Sequence, residues 1–404
     1  MFRSVAWAFR ISLSSSRGWS VVEVSEITFN RASVHGNELS YVRDSVSTGA
    51  SAARGPFSAR AGDLLRAELG ASAVLLTTSC TSALELSSML LNLTPKTNVI
   101  VPSFTFVTTA LAFTRNGTEL RFADIDPTTL CISPTSVSEL VDSDTRAIVP
   151  VHYAGISADL EELEQIVDAF DDLSMVEDNA HGLFGSHRGR PLGSFGRFST
   201  LSFHETKNFS CGEGGALVIN QEHDVSRAHV LYDKGTNRAA FLEGEVDRYT
   251  WIDQGSSFGM SDLLAGFLLG QLEERSQIMA RRKDIFDQYH QSLSFLQEQL
   301  GFQAPVVQEW QQPGYHMFYV LISDEARRTE VLRGLNESGI RAVFHYQPLH
   351  SSLGAQPWTT QRFDCPVTDS VSSRIIRLPF FTNLTTAEVE RVVDTLIDAL
   401  EHTA

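Results

Sequence analysis

Basic charge is scarce in this chain: 32 lysines and arginines face 49 aspartates and glutamates, a formal net charge of −17. That balance disfavours non-specific binding to nucleic acid or to an anionic membrane surface. Cysteine is scarce as well. Cys80, Cys131, Cys211 and Cys365 are scattered, with no CxxC pair and no metal-ligand spacing, which argues against a disulfide scaffold or a structural zinc site and fits a reduced, cytoplasmic protein. No stretch approaches the roughly 18 apolar residues that a membrane-spanning helix needs. Internal repeats and low-complexity tracts are also missing. What is present is a chain of 404 residues, 42% hydrophobic and 20% charged, long enough for one large domain, a smaller one and a deep site.

Residues 1–26 stand apart. They carry Arg3, Arg10 and Arg17, many serines and no acid before Glu23, the composition of a transit peptide. A start codon set too far upstream explains the same facts and is the preferred reading. From about residue 70 the pattern alternates. The runs AVLLTTS, NVIVPS, ELRFADID, TRAIVPVHYAG, SMVEDNA, FSTLSFH and GGALVIN predict strands. Between them SALELSSMLLNL, with Ser82 and Glu85 in capping-box spacing, FVTTALAFTRNG and DLEELEQIVDAFDD predict helices. Strands alternating with helices imply a mostly parallel sheet covered on both faces, with ligands beyond the carboxyl ends of its strands. We expect this large domain over residues 27–260. A linking helix with Ser261 as N-cap and apolar Leu264, Phe267, Leu268 and Leu272 would then open a small α+β domain over 261–404, in which HMFYVLIS and RAVFHY are strands and the chain ends in a helix.

Three strand ends point toward one crevice. Ser79, Cys80, Thr81 and Ser82 lie between a strand and a helix start, where free amides and the helix dipole suit a phosphate; an ordinary N-cap uses the same residues. Asp178 closes an apolar strand and suits a structural acid unless a cation stands opposite. Lys207 follows the strand FSTLSF and precedes the glycine-rich CGEGG. It is either an idle surface lysine or, beside a phosphate cradle and an acid, an amine able to form a Schiff base. Together the three match the needs of pyridoxal 5′-phosphate (PLP): a lysine for the aldehyde, donors for the phosphate and an acid for the ring nitrogen.

SCTSALE, VPSFTFVTTA, DIDPTTL, VPVHYAG, VEDNAHG, LGSFGRFSTLSFHETKN, GEGGALVIN, KGTNR, YTWIDQGSSFGMSDLLAG and VFHYQPLH follow one another in the chain. As a set over about residues 27–400 they resemble the DegT/DnrJ/StrS sugar-nucleotide aminotransferases, and SFHETKN, DKGTNR and YTWIDQGSS resemble most the branch of dTDP-4-amino-4,6-dideoxygalactose transaminases. The resemblance implies a PLP-dependent transferase of fold type I, aspartate aminotransferase-like, working as a homodimer with shared sites. It implies transfer of an amino group from L-glutamate, which leaves as 2-oxoglutarate, to C4 of dTDP-4-keto-6-deoxy-D-glucose, a nucleotide sugar. By position, Lys207 would be the Schiff-base lysine and proton shuttle, Asp178 the partner of the pyridinium nitrogen and His181 the neighbour of the phenolic oxygen. Phe106 would lie on the ring, though periodicity alone fits plain core equally well. Cys80, Thr81 and Ser202 would hold the phosphate, and Ser257 would reach the phosphate of the partner subunit where relatives usually carry asparagine. His345, Tyr346 and His350 would face the sugar nucleotide. Lys234 and Arg238 would meet the diphosphate or the glutamate carboxylate, or else form surface salt bridges. Three alternatives follow the same pattern: a dehydratase, which carries histidine at the place of Lys207; an aminotransferase for C3 or another nucleotide sugar; and a non-catalytic PLP-fold sensor.

Overall fold

In the computed structural model the described residues are 26–242 and 244–403, so the expectation for residues 1–26 lies outside them except at Glu26. The main sheet has seven strands: β1 (Ala73–Thr77), β2 (Asn98–Pro102), β3 (Glu119–Ala123), β4 (Thr145–Ile148), β5 (Ser174–Asp178), β6 (Phe198–Ser202) and β7 (Gly215–Ile219). Their order is β1-β7-β6-β5-β4-β2-β3. From β6 to β3 the neighbours pair in parallel, and β7 runs antiparallel to both β1 and β6. The expected mostly parallel α/β sheet is therefore present. Parallel neighbours need crossovers; after α1 (Glu38–Thr48), which packs on the helix Asp262–Glu273, helices α2 (Pro56–Leu69), α3 (Cys80–Leu90) and α4 (Leu160–Asp168) supply cover on the two faces. Along β7 the side chains alternate accordingly. Ala216 and Val218 pack among α2 residues such as Leu65, while Leu217 and Ile219 pack among α3 residues such as Leu84.

Local chemistry shifts some boundaries. α3 begins before the predicted capping box: its N-cap is Ser79, whose Oγ accepts the Ser82 amide at 3.0 Å, and Glu85 pairs with Arg115 instead. β1 ends at Thr77, so the chain turns early enough for Ser79 to serve. β4 stops at Ile148, short of the predicted run, because Pro150 has no amide to give a ladder. Ser261 does sit at the N-cap of α5 (Asp262–Glu273), but its side chain makes no capping bond. Asp262 turns instead to α2 and accepts the Ser58 and Phe57 amides at 2.7 and 3.3 Å, a cap that Gly55 cannot provide. α5 buries Ala265, Leu268, Leu269 and Leu272, a stripe rotated from the predicted one, and runs through Glu274 into α6 (Arg275–Leu293).

A second, three-stranded sheet follows in the order β8-β9-β10, formed by β8 (Phe302–Gln303), β9 (Tyr319–Ile322) and β10 (Ile375–Arg377), all antiparallel. α7 (Glu325–Glu337) and α8 (Thr386–His402) pack against it, and Ile27 is buried in the same core. The segment RAVFHY, predicted as a strand, contributes only a single bridge from Val343 to Arg377. Its His345 and Tyr346 turn away to line a cavity.

Candidate active site

The strand ends converge as the topology demands. β1 leads into α3, β5 ends in Asp178, β6 ends in Ser202 and β7 starts at Gly215. A cavity of about 560 Å³ opens there, lined by Cys80, Thr81, Phe106, Asp178, His181, Ser202, Lys207, His345 and Tyr346 among others. These residues, all singled out in the sequence, thus share one space. Phe106 is 53% exposed, which removes the plain-core alternative and leaves its ring at the wall, 6.0 Å from that of Tyr346.

Lys207 is carried by a hairpin-like excursion between β6 and β7. Phe203 N donates to Gly214 O at 2.8 Å, Glu205 N to Gly212 O at 2.9 Å and Lys207 N to His204 O at 2.9 Å. These bonds hold the half-buried lysine over the sheet end. Gly215 then passes so close to α3 that a Cβ there would lie 2.4 Å from Cys80 N and from Ser79 C. Neither backbone atom can yield cheaply. Gly215→Ala is therefore expected to cost about 1–3 kcal/mol, read as a fall in thermal midpoint, and to displace the α3 N-terminus from the cavity wall.

Asp178 is buried and oriented from both sides: Thr109 Oγ1 donates to Oδ2 at 2.7 Å and Ala180 N to Oδ1 at 3.2 Å. Burial raises its carboxyl above the ordinary range despite these donors and the nearby Lys207 cation. His181 stacks on His316, 4.2 Å between ring centres, and its Nδ1 is buried with no hydrogen-bond partner. Burial, followed by the Lys207 charge, holds both histidines well below their usual range, so both are neutral. His316 Nδ1 meets Asn208 Oδ1 at 2.9 Å, which ties the stacked pair to the residue next to Lys207. Burial and then Asp178 push the Cys80 thiol up, so it presents S–H and not thiolate.

Ser257, Lys234 and Arg238 lie elsewhere, in a second cavity of about 410 Å³ with Arg54 and Asp233. Asp233 pairs with Lys234 at 2.8 Å, Arg238 at 3.3 Å and Arg54 at 4.0 Å. The salt-bridge alternative is thus real, yet three cations to one carboxylate leave positive charge over. His350 lines neither cavity. It packs against Ser103, 2.7 Å from Nδ1 to Oγ, with Asp369 at 3.7 Å. Thr109, His316 and Arg377 line the main cavity and were not singled out from the sequence. A polar residue one turn after Phe106 was the only available hint for Thr109; His316 and Arg377 follow no local signature.

No group of His, Cys, Asp and Glu among the described residues could hold a metal ion. A model of the DegT/DnrJ/EryC1/StrS aminotransferase family matches residues 33–397. Among solved structures, the chain is similar to the aminotransferase TlmJ of Streptoalloteichus hindustanus, with 26% identity and a TM-score of 0.85 over 94% of this chain and 100% of that one. It is similar to Spr1654 of Streptococcus pneumoniae in its PLP-form, a protein named as a sugar aminotransferase, with 24% identity and a TM-score of 0.86 over 94% and 100% of the two chains. It is also similar to PseC of Helicobacter pylori, an aminotransferase of pseudoaminic acid biosynthesis, with 22% identity and a TM-score of 0.84 over the same shares. Similarity at the level of the last two speaks for the shared fold alone.

Proposed function

Because the chain belongs to the DegT/DnrJ/EryC1/StrS aminotransferase family, we propose that it moves an amino group from L-glutamate to C4 of a nucleotide-linked 4-keto-6-deoxy sugar, dTDP-4-keto-6-deoxy-D-glucose, giving the 4-amino-4,6-dideoxygalactose product. The observation that carries this reading is the meeting of Lys207, Asp178 and the α3 N-terminus in one cavity.

The cofactor is PLP, and the residues fit it. Asp178 is a buried acid whose raised carboxyl calls for a cation opposite. His181 Nδ1 is a buried polar atom awaiting a partner, and Gly215 keeps the α3 amides open. When bound, PLP supplies an aldehyde for the amino group and a ring that takes up the electrons of a broken Cα–H bond.

The protein's part is positional and protic. Ser79, Cys80 and Thr81 offer amides and side chains at the start of α3 for the phosphate. Asp178, fixed by Thr109 and Ala180, would hold the proton of the ring nitrogen. Neutral His181 would bond the phenolic oxygen, and Phe106 would close one wall and exclude water. Lys207 Nζ would anchor the aldehyde carbon and would serve as the base and acid for the proton that moves in the exchange. Lysine at this position, where dehydratase relatives carry histidine, favours transamination over loss of a hydroxyl.

We place residues 27–260 as the PLP-binding domain and 261–404 as the smaller one, in a cytoplasmic homodimer. Ser257 with the surplus charge of Lys234, Arg238 and Arg54 would complete the partner's phosphate and diphosphate contacts. His345 and Tyr346 would face the sugar, with His350 behind them. No helix among the described residues is long and apolar enough to cross a membrane.

The deciding experiment incubates the PLP-loaded protein with L-glutamate and dTDP-4-keto-6-deoxyglucose and identifies the product by NMR. Axial nitrogen at C4 is expected. Equatorial nitrogen would give the gluco product, and amination at C3 would move the reaction to another carbon; either removes the proposed substrate assignment.

A further inference from the structure

His181 and His316 line the cavity face to face, with ring centres 4.2 Å apart and planes 16° from parallel. The backbone builds that stack. Gly314 packs so closely on the turn after β5 that a Cβ there would lie 2.7 Å from His181 O and 2.9 Å from Gly182 Cα. Gly314 N donates to Gly155 O at 2.8 Å, His316 N to Ala154 O at 3.2 Å and Arg282 Nη2 to His316 O at 2.7 Å. The main chain thus sets His316 against His181 before any side chain chooses a rotamer.

The ring of His316 is fixed as well. Asn208 Nδ2 donates to Gly314 O at 2.5 Å, so Asn208 Oδ1 is the acceptor that meets His316 Nδ1 at 2.9 Å, and that nitrogen carries the ring proton. With its one proton committed to Asn208, neutral His316 has none to donate to a ligand. His181 is the opposite case. Its buried Nδ1 has no partner, and an unpaired buried nitrogen favours turning the ring toward one. The flat stack on His316 opposes that turn. Burial and then the Lys207 cation keep both rings neutral; Arg377 acts on both in the same sense, Arg282 on His316 and His152 on His181.

We propose that His316 is a positioning residue for the cofactor: by stacking, it holds the His181 ring in the orientation that bonds the phenolic oxygen of PLP. The inference rests on the role given to His181 above. A hydrogen bond donated by His181 stabilises the deprotonated phenolic oxygen and lowers the pH at which that oxygen loses its proton. A His181 ring free to turn loses the bond, and the midpoint rises.

The test follows that midpoint in the PLP-loaded protein through the pH dependence of the cofactor's visible absorbance, with no amino donor or sugar present. His316→Gln keeps a partner for Asn208 but removes the ring. It is expected to raise the midpoint by about one pH unit, the size of a lost hydrogen bond to a charged group. His316→Met, which fills the space without a flat ring, should do the same and carries the test if the glutamine variant does not fold. His316→Phe drops the bond to Asn208 but keeps the stack, and should leave the midpoint near that of wild type. His181→Leu should raise the midpoint as far as His316→Gln, and the double variant no further, because both remove one interaction. An unchanged or lowered midpoint in the variants without the ring overturns the inference while His181→Leu still moves it. So does a His316→Phe shift as large as that of His316→Gln, or a double-variant shift equal to the sum of the single ones. A wild-type midpoint in His181→Leu removes the role of His181, and this inference with it. Because no sugar enters the measurement, a failure to aminate the keto sugar would sink the proposed substrate and leave this inference standing.

Discussion

Lys207→Ala is expected to purify without the covalent cofactor linkage expected of wild type, and to lose turnover by on the order of 10,000-fold, the upper end for a missing general acid–base group. The cavity offers no substitute. Lys207 is the one lysine among the described residues that line it. Arg377 stays protonated, and His181 and His316 lack an amine that could bond an aldehyde. The same variant should also leave Asp178 without the cation that now lowers its carboxyl. The measurement is borohydride reduction followed by mass spectrometry. Wild type should retain a cofactor adduct on the peptide containing Lys207, and the variant should retain none. An adduct that survives in Lys207→Ala would move the anchor elsewhere and end the assignment. Lys207→Arg should behave like the alanine variant, because charge without a nucleophilic amine does not replace the lysine.

The part of the site built by strand ends was legible in the sequence, because an apolar run of fixed length announces where its last residue emerges. Asp178 and Lys207 each follow such a run, and the parallel sheet brings their ends together. The start of α3, proposed to hold the phosphate, was legible as a strand-to-helix turn of small residues, although the cap proved to be Ser79 and not Ser82. What was not legible came from the second sheet. Arg377 ends a three-residue strand whose apolar pair Ile375–Ile376 looks like any buried edge, and only tertiary packing brings it to the wall of the cavity that Lys207 also lines. Stacking of His316 on His181 likewise joins residues far apart in the chain. His345 and Tyr346 were placed near the substrate by resemblance, while the pattern around them suggested a strand. Val343 alone pairs with β10, at Arg377, and the chain then leaves the sheet edge, which frees the two side chains that follow to reach the cavity. Ser257 carried a role that presupposes a second chain, and Lys234 and Arg238, expected near the diphosphate or the glutamate carboxylate, lie with it in a cavity apart from Lys207.

Asp178→Asn separates catalysis from stability, and the two should move in opposite directions. Asparagine keeps the size of the side chain and the bond from Thr109, but it cannot hold a proton on the ring nitrogen, so the PLP-loaded variant should bind cofactor and lose turnover by about 100- to 1,000-fold, as for other preorganised electrostatic groups. Cofactor-free protein should respond the other way. Burial raises the folded-state carboxyl of Asp178 above its unfolded value, so between those two values the folded chain binds more protons than the unfolded one. Stability therefore falls as pH rises through that window and stays reduced above it. The asparagine side chain has no such proton to lose. Cofactor-free Asp178→Asn should accordingly melt higher than cofactor-free wild type at neutral pH, and the gap should close on acidification below the ordinary aspartate range. Adding PLP supplies the missing cation to wild type and should shrink or reverse the difference. Melting curves of both proteins, with and without PLP, across that pH range check the argument. Normal turnover in the variant would show that the ring nitrogen needs no acid here. Identical cofactor-free melting at every pH would show that the buried carboxylate is already compensated, and Asp178 would then be a structural acid after all.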